Sequence, residues 1–294
     1  MNGFKSPTLL DKPWVDEILN DSYAPSLEYN FSTIFMWKEV YNTKIKKFKD
    51  CFLVCFGDKM DKFLFPIGKT SVLDAFDWII KNSPDEISFL SVTREQAEII
   101  KKNYGNDFEF IINRNASDYI YKTENLAYLK GKKLSSKRNH INRFLQNNPD
   151  WKYIDMTPDN LHLARDIQKI WEEKNSEYFS KGLEDEKKAL MTAFDNFKEL
   201  GLSGGILIAK DGPVAFSIGE KLNQNTFIVH FEKAFYDVQG AYPMINKQFV
   251  LNNCMDFEFV NREEDAGDEG LRKAKLSYNP HIILEKFDIR KIKK

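Results

Sequence analysis

The stretch Phe257–Pro280, FEFVNREEDAGDEGLRKAKLSYNP, is where the chain concentrates its ionisable chemistry, and its reading organises the rest. A short apolar run, a predicted strand, enters a loop crowded with Glu263, Glu264, Asp265, Asp268 and Glu269. Two glycines then lead into a short cationic helix carrying Arg272, Lys273 and Lys275, with an amide at Asn261 and a phenol at Tyr278 beside it. Loops just past a strand end are where binding and catalytic groups collect. Acids at a helix start and cations near its end also suit the helix dipole, so a solvated loop and a capped helix account for the same residues.

Working outward, 294 residues with 42% hydrophobic and 30% charged residues can bury a sizeable core and suffice for two domains. The formal charge of −1 provides no overall basic field, so nucleic acid or an anionic membrane must be met by a local patch. No run approaches the ~18 apolar residues of a spanning helix, and the polar start MNGFKSPTLLDK lacks a signal-peptide core. These features predict a cytoplasmic protein without a transmembrane segment. Cys51, Cys55 and Cys254 lack metal-ligand spacing and read as buried thiols; His140, His162, His230 and His281 are scattered, and no metal site is expected.

The first half alternates between the two periodicities. Helical spacing over Leu9–Leu19 and Phe31–Tyr41 precedes β candidates at Thr43–Phe48, Phe52–Phe56 and Lys62–Pro66. Ser71–Asp74 and Thr93–Gln96 are capping-box patterns opening helices, with a strand at Ile87–Leu90 between them and two more at Phe108–Ile112 and Asp118–Tyr121. No chemical motif marks this half, whose expected role is scaffolding.

A change of composition near Asn125 opens the second half. Tyr128–Phe144, YLKGKKLSSKRNHINRF, is rich in cations and has no acid; a basic loop precedes a basic helix bearing Lys137, Arg138 and Arg143. It reads either as a solvated helix surface or as a seat for a phosphate-bearing partner. A strand at Trp151–Asp155, a helix after Thr157-Pro158, and a helix over Glu184–Leu200 follow. Strands at Gly205–Ala209, Val214–Lys221 and Thr226–Ala234 are joined by short polar turns and predict an antiparallel meander. A helix from about Tyr242 to Asn253, the opening stretch, and a closing strand Ile282–Arg290 complete the chain. Gly201–Gly205, GLSGG, matches the GxSxG of hydrolases in letters alone, because that motif needs a strand before the serine and a helix after it.

This order of elements resembles the Gcn5-related N-acetyltransferase superfamily. LKGKKLSSKRNHINRF and NREEDAGDEGLRKAKLSYNP together are similar to the family related to the C-terminal domain of phosphatidylglycerol lysyltransferase (DUF2156), which is akin to the Fem-type transferases. The resemblance implies an α/β (α+β) fold of two tandem acetyltransferase-like domains, with mixed sheets flanked by helices. Residues 1–125 would form a degenerate first domain and 126–294 a second holding the active site. The activity implied is acyl or aminoacyl transfer from acyl-CoA or aminoacyl-tRNA to an amine or hydroxyl, with tRNA or CoA as donor partner and peripheral contact with anionic lipid. The alternative is a binding module that keeps the fold without the chemistry and recognises an RNA end or an anionic headgroup.

The resemblance also implies roles. Gln239, Gly240 and Ala241 correspond to the donor-pyrophosphate loop, of which one glycine is kept, and helix starts bind anions through exposed N–H groups. Lys137, Arg138 and Arg143 would add phosphate contacts. Glu232 is the candidate base, with Asn261, Asp265 and Tyr278 also placed in catalysis. Glu263, Arg272 and Lys275 would bind substrate. Acyl transfer needs these few parts, a proton acceptor and a stabiliser of the carbonyl oxygen.

Overall fold

Cys51–Phe56, CFLVCF, is apolar throughout, the composition of a strand covered on both faces, and every position but the last is buried. It lies in the first of two sheets in the computed structural model, which describes residues 3–20, 26–178 and 180–292. The chain divides into two units: Met1–Asp118 with Glu264–Asp268 and Ile283–Lys294, and Tyr119–Glu263 with Glu269–Ile282.

In chain order the elements are α1 (Lys12–Asn20), α2 (Phe31–Met36), α3 (Lys38–Tyr41), β1 (Lys44–Phe48), β2 (Cys51–Phe56), β3 (Lys62–Phe63) and β4 (Ile67–Gly68). There follow α4 (Val72–Asn82), β5 (Ser88–Thr93), α5 (Arg94–Tyr104), β6 (Phe108–Ile112), β7 (Asp118–Lys122), α6 (Thr123–Tyr128), α7 (Ser135–Asn147) and β8 (Lys152–Asp155). Next come α8 (Leu161–Lys174), α9 (Lys181–Asp195), α10 (Phe197–Leu200), β9 (Ser203–Ala209), β10 (Gly212–Lys221) and β11 (Thr226–Ala234). The last are α11 (Ala241–Asn253), β12 (Phe259–Asn261), α12 (Glu269–Leu276), β13 (Ile282–Leu284) and β14 (Lys286–Lys291).

The first sheet runs β1-β2-β3-β5-β14-β6, with β4 also on β2. Phe63, Phe76, Phe89 and Phe108 fill its core, the rings of Phe76 and Phe89 stacked at 4.4 Å. The second runs β13-β7-β12-β11-β10-β9-β8. Both are mixed: β3 and β5 are parallel in one and β11 and β12 in the other, whereas β1–β2, β5–β14, β14–β6, β7–β12, β8–β9, β9–β10 and β10–β11 pair antiparallel. Helices α4 and α5 pack on the first sheet, and α8 and α11 on the second. The architecture is therefore the mixed α/β class, two sheets flanked by helices.

The meander is β9, β10 and β11, antiparallel in register. Helix α10 precedes β9, so Gly204 and Gly205 have a packing reason rather than a nucleophile's: added Cβ atoms would overlap Met156 and Tyr153 of the β8 edge. Thr93 closes its capping box in both directions. Ser71 does not cap α4, because its hydroxyl bonds Asp50, a carboxylate that also accepts the Lys69 and Thr70 N–H groups. The helix expected over Glu184–Leu200 begins earlier, at Lys181 with Ser180 as cap, and breaks at Asn196. The closing strand Ile282–Arg290 is in fact two strands: Glu285 interrupts it where the chain leaves the second sheet for the first.

Helix α11 packs on β9, β10 and β11 and also meets α6 and α7. Its cap, Gly240, has φ +84°, and a Cβ there would lie 2.2 Å from the His140 carbonyl of α7. Gly240→Ala combines left-handed strain with a backbone clash and is expected to cost about 2 kcal/mol or more. Urea unfolding checks this: an unchanged midpoint would mean that α7 and α11 do not approach so closely.

Candidate active site

Strands β11 and β12 run side by side only briefly. Thr226, Phe227 and Ile228 pair with Phe259, Val260 and Asn261; β12 then ends while β11 continues to Ala234. A bulge between Ile218 and Gly219 leaves His230 as the extra residue of β11, and bulges commonly re-aim side chains near functional sites.

Beyond the ladder, side chains replace main-chain bonds. Glu232 of β11 accepts from Arg262 Nη2 at 2.8 Å through Oε1, and from Asn246 Nδ2 of α11 at 2.9 Å through Oε2. His230 lies between two carboxylates, Nδ1 at 2.8 Å from Glu263 and Nε2 at 3.0 Å from Glu220. Burial alone would lower the imidazole's pKa, but the two carboxylates outweigh it and hold the value at about 9, so both nitrogens donate at neutral pH. Two consecutive residues of the turn, Arg262 and Glu263, are thus tied to two residues of one strand by ion pairs of opposite sense.

The turn is shaped locally. Asn261 is fully buried, and its Oδ1 accepts the Glu263 N–H at 2.7 Å, which holds Glu263 at φ +59°. Lys275 of α12 donates to the Arg262 carbonyl at 2.6 Å, and Tyr121 donates to the Lys275 carbonyl at 2.8 Å. The helix is therefore fastened to the turn through main-chain atoms.

Aromatic rings line the guanidinium. Arg262 lies 4.9 Å from the Tyr278 ring centre and 5.8 Å from that of Tyr121. Lys137 of α7 approaches the Tyr278 ring as well, at 4.2 Å. Burial raises the Tyr278 phenol above the usual range, making it a weak acid. Burial, and then the neighbouring guanidinium, lower Lys137 below an ordinary lysine. Three polar atoms close to this cluster in the fold are buried without a hydrogen-bond partner among the described residues: Arg262 Nη1, Asn246 Oδ1 and Oγ of Ser217, whose residue pairs with Glu232 across the ladder.

Glu232, Tyr278, Glu263, Lys275 and Lys137 therefore come together around Arg262. Arg272 is partly exposed on α12. Asp265 belongs to the first unit, fully buried, where it accepts the Gly267 N–H at 2.9 Å and pairs with Arg114 at 3.4 Å. Arg138 is spent on the carbonyls of Leu129 and Gly131, while Arg143 is exposed with Lys130, Lys132 and Lys133. At the start of α11, Gln239 is exposed, Gly240 abuts α7, and Ala241 N–H donates to the Val238 carbonyl at 3.0 Å. Pro243 has no N–H, so Tyr242 alone of the first three helical residues keeps a donor for an anion.

Sequence reasoning did not single out Arg262 or His230. Arg262 sits inside the quoted NREED run, masked by the acids around it. His230 follows the apolar run Phe227–Val229 of β11, where a buried polar residue is itself a sign of a partner. Among the described residues no group of three His, Cys, Asp or Glu could hold a metal ion, and no helix is long and apolar enough to cross a membrane.

Comparison with known proteins adds the following. The family described as phosphatidylglycerol lysyltransferase, C-terminal, matches residues 21–290. A crystal structure of a conserved protein of unknown function from Bacteroides thetaiotaomicron is 35% identical, with 99% of this chain and 100% of that chain covered and a TM-score of 0.94. The C-terminal domain of a putative lysylphosphatidylglycerol synthetase from Agrobacterium fabrum shares the fold at 10% identity, 96% and 91% coverage and a TM-score of 0.67. L-PGS from Bacillus licheniformis does so at 12% identity, 100% and 94% coverage and a TM-score of 0.66. An uncharacterized protein of Mycoplasmoides gallisepticum is 26% identical over 247 residues, 77% of this chain and 74% of that one.

The clamp around His230 has a pH signature. Its folded pKa, about 9, stands above the unfolded 6.5, so its stabilisation is complete below pH 6.5, declines as pH rises, and is gone above 9. The loss is of the order of 3 kcal/mol. Urea unfolding across that interval should give a falling stability for the natural chain and no such fall for His230→Gln. Parallel curves for the two would contradict the clamp.

Proposed function

The chain belongs to the phosphatidylglycerol lysyltransferase C-terminal family, and on that premise we propose that it transfers an aminoacyl group from aminoacyl-tRNA to an amine or hydroxyl, at the splay of β11 and β12. The observation that carries the reading is the buried Glu232–Arg262 pair at the point where the ladder stops.

Glu232 has both oxygens engaged and serves to orient Arg262. Arg262, with Nη1 uncommitted, supplies positive charge and a hydrogen bond to the ester carbonyl oxygen as it becomes an oxyanion. Tyr121 and Tyr278 wall the guanidinium from solvent, which strengthens that interaction. Asn261 and Lys275 set the turn that carries Arg262.

The choice of aminoacyl-tRNA over acyl-CoA rests on two features. The first turn of α11 retains one donor N–H, a poor match for a pyrophosphate, which helix starts hold with several. The exposed Lys130, Lys132, Lys133 and Arg143 suit the phosphates of a polynucleotide, whose binding is driven by counterion release.

Labelled aminoacyl-tRNA and labelled acetyl-CoA, each offered with phosphatidylglycerol vesicles and a set of soluble amines, test the proposal. Label should move from the tRNA, and Arg262→Met should slow it by ~10²-fold or more with the fold retained. Transfer from acetyl-CoA alone would overturn the donor, and transfer from neither would overturn the activity. Binding of tRNA should weaken with salt, and Lys132→Gln with Lys133→Gln should flatten that dependence by roughly two charges.

A further inference from the structure

Transfer needs a proton acceptor, and Glu232, whose oxygens both hold hydrogen bonds, is poorly free to act as one. We infer that the ε-amine of Lys137 is the base of the transfer, an assignment that rests on the transferase reading above.

Position is the first ground. Lys137 projects from α7 onto the Tyr278 ring at 4.2 Å, and Arg262 meets the same ring at 4.9 Å, so the amine and the guanidinium are both placed against one aromatic side chain. The second ground is its company. The charged groups that act on the amine are Arg262 on the turn after β12 and Glu232 on β11, and Glu232 is already neutralised by Arg262. Several other lysines of this chain that are wholly or partly buried sit in ion pairs: Lys12 with Asp16, Lys187 with Glu172, Lys233 with Glu186. No carboxylate lies within ion-pair distance of Lys137, and the amine is bonded to no other group among the described residues. Burial beside another cation is the setting in which proteins keep a lysine neutral and reactive. The lowered pKa agrees with that setting.

The step balances without a further reactant. The lone pair of Lys137 Nζ takes a proton from the acceptor amine or hydroxyl as that atom bonds to the aminoacyl carbonyl carbon. Collapse of the oxyanion beside Arg262 breaks the ester C–O bond, and Lys137 returns the proton to the leaving ribose oxygen. The lysine ends neutral, ready for another cycle.

Trace acetylation with acetic anhydride across a pH series, read residue by residue by mass spectrometry, tests the assignment without any transfer assay. Lys137 should titrate below the exposed Lys132 and Lys133 of the same chain, and Arg262→Gln should move its midpoint up towards theirs. In the transfer assay, Lys137→Met should lose ~10²–10⁴-fold in kcat with tRNA affinity little changed. The natural enzyme's rate should rise with pH through the midpoint found by acetylation. A Lys137 that titrates with Lys132, or a Lys137→Met that transfers at the natural rate, overturns the base while leaving the transferase reading intact. If the midpoint is low as expected but the natural chain transfers nothing, the transferase reading falls and the base with it.

Discussion

The hydrogen-bond ladder between β11 and β12 ends at Ile228 and Asn261, and two ion pairs take over from it. Parallel strands held by main-chain bonds would close the gap between them. Here β11 continues alone to Ala234, and His230 and Glu232 reach the turn through side chains, which keep the strands associated without zipping them shut. Such pairs are costly to assemble, since each ion loses its water, and still costlier to break, at about 3–5 kcal/mol when one partner is removed. The splay is thus held by interactions that pure apolar packing could replace for stability, but not for its chemistry.

The same arrangement fixes the electrostatics. Glu263 pairs with the imidazolium and Glu232 with the guanidinium, and neither acid forms an ion pair with Lys137. Two cations then approach the ring of one tyrosine, and burial together with the guanidinium holds the lysine's pKa below that of an ordinary lysine. Arginine, by contrast, stays charged in proteins. On the proposed reading the labour divides: Arg262 faces the developing oxyanion, and Lys137 handles the proton.

Much of the fold was legible because it is local. The meander of β9 to β11 is written in alternating apolar runs and short polar turns, and Thr93 announces its helix through a capping box that forms. Glu232, Lys137 and Tyr278 were named through the family resemblance, Lys137 as a phosphate contact and the other two as catalytic groups, and the structure places all three near one guanidinium. What sequence could not supply is the pairing. Arg262 finds Glu232 across 30 residues and His230 finds Glu263 across 33, distances at which periodicity carries no information. Segments 264–268 and 283–294 return to the first unit by the same kind of long-range exchange, and the predicted closing strand broke for that reason. Ser71 shows the local version of the problem, a cap pattern defeated by Asp50, some 20 residues upstream on the far side of a hairpin-like turn.

On the proposed function, the donor's aminoacyl end enters the splay beside Arg262. A stable mimic of that end, a short acceptor-stem RNA carrying its amino acid through an amide, can be titrated into the chain while the arginine side-chain ¹⁵N signals are followed by NMR. The Arg262 signal should shift on saturation, and Glu232→Gln should weaken both the shift and the binding. Saturable binding of the mimic that leaves Arg262 unmoved would contradict that placement.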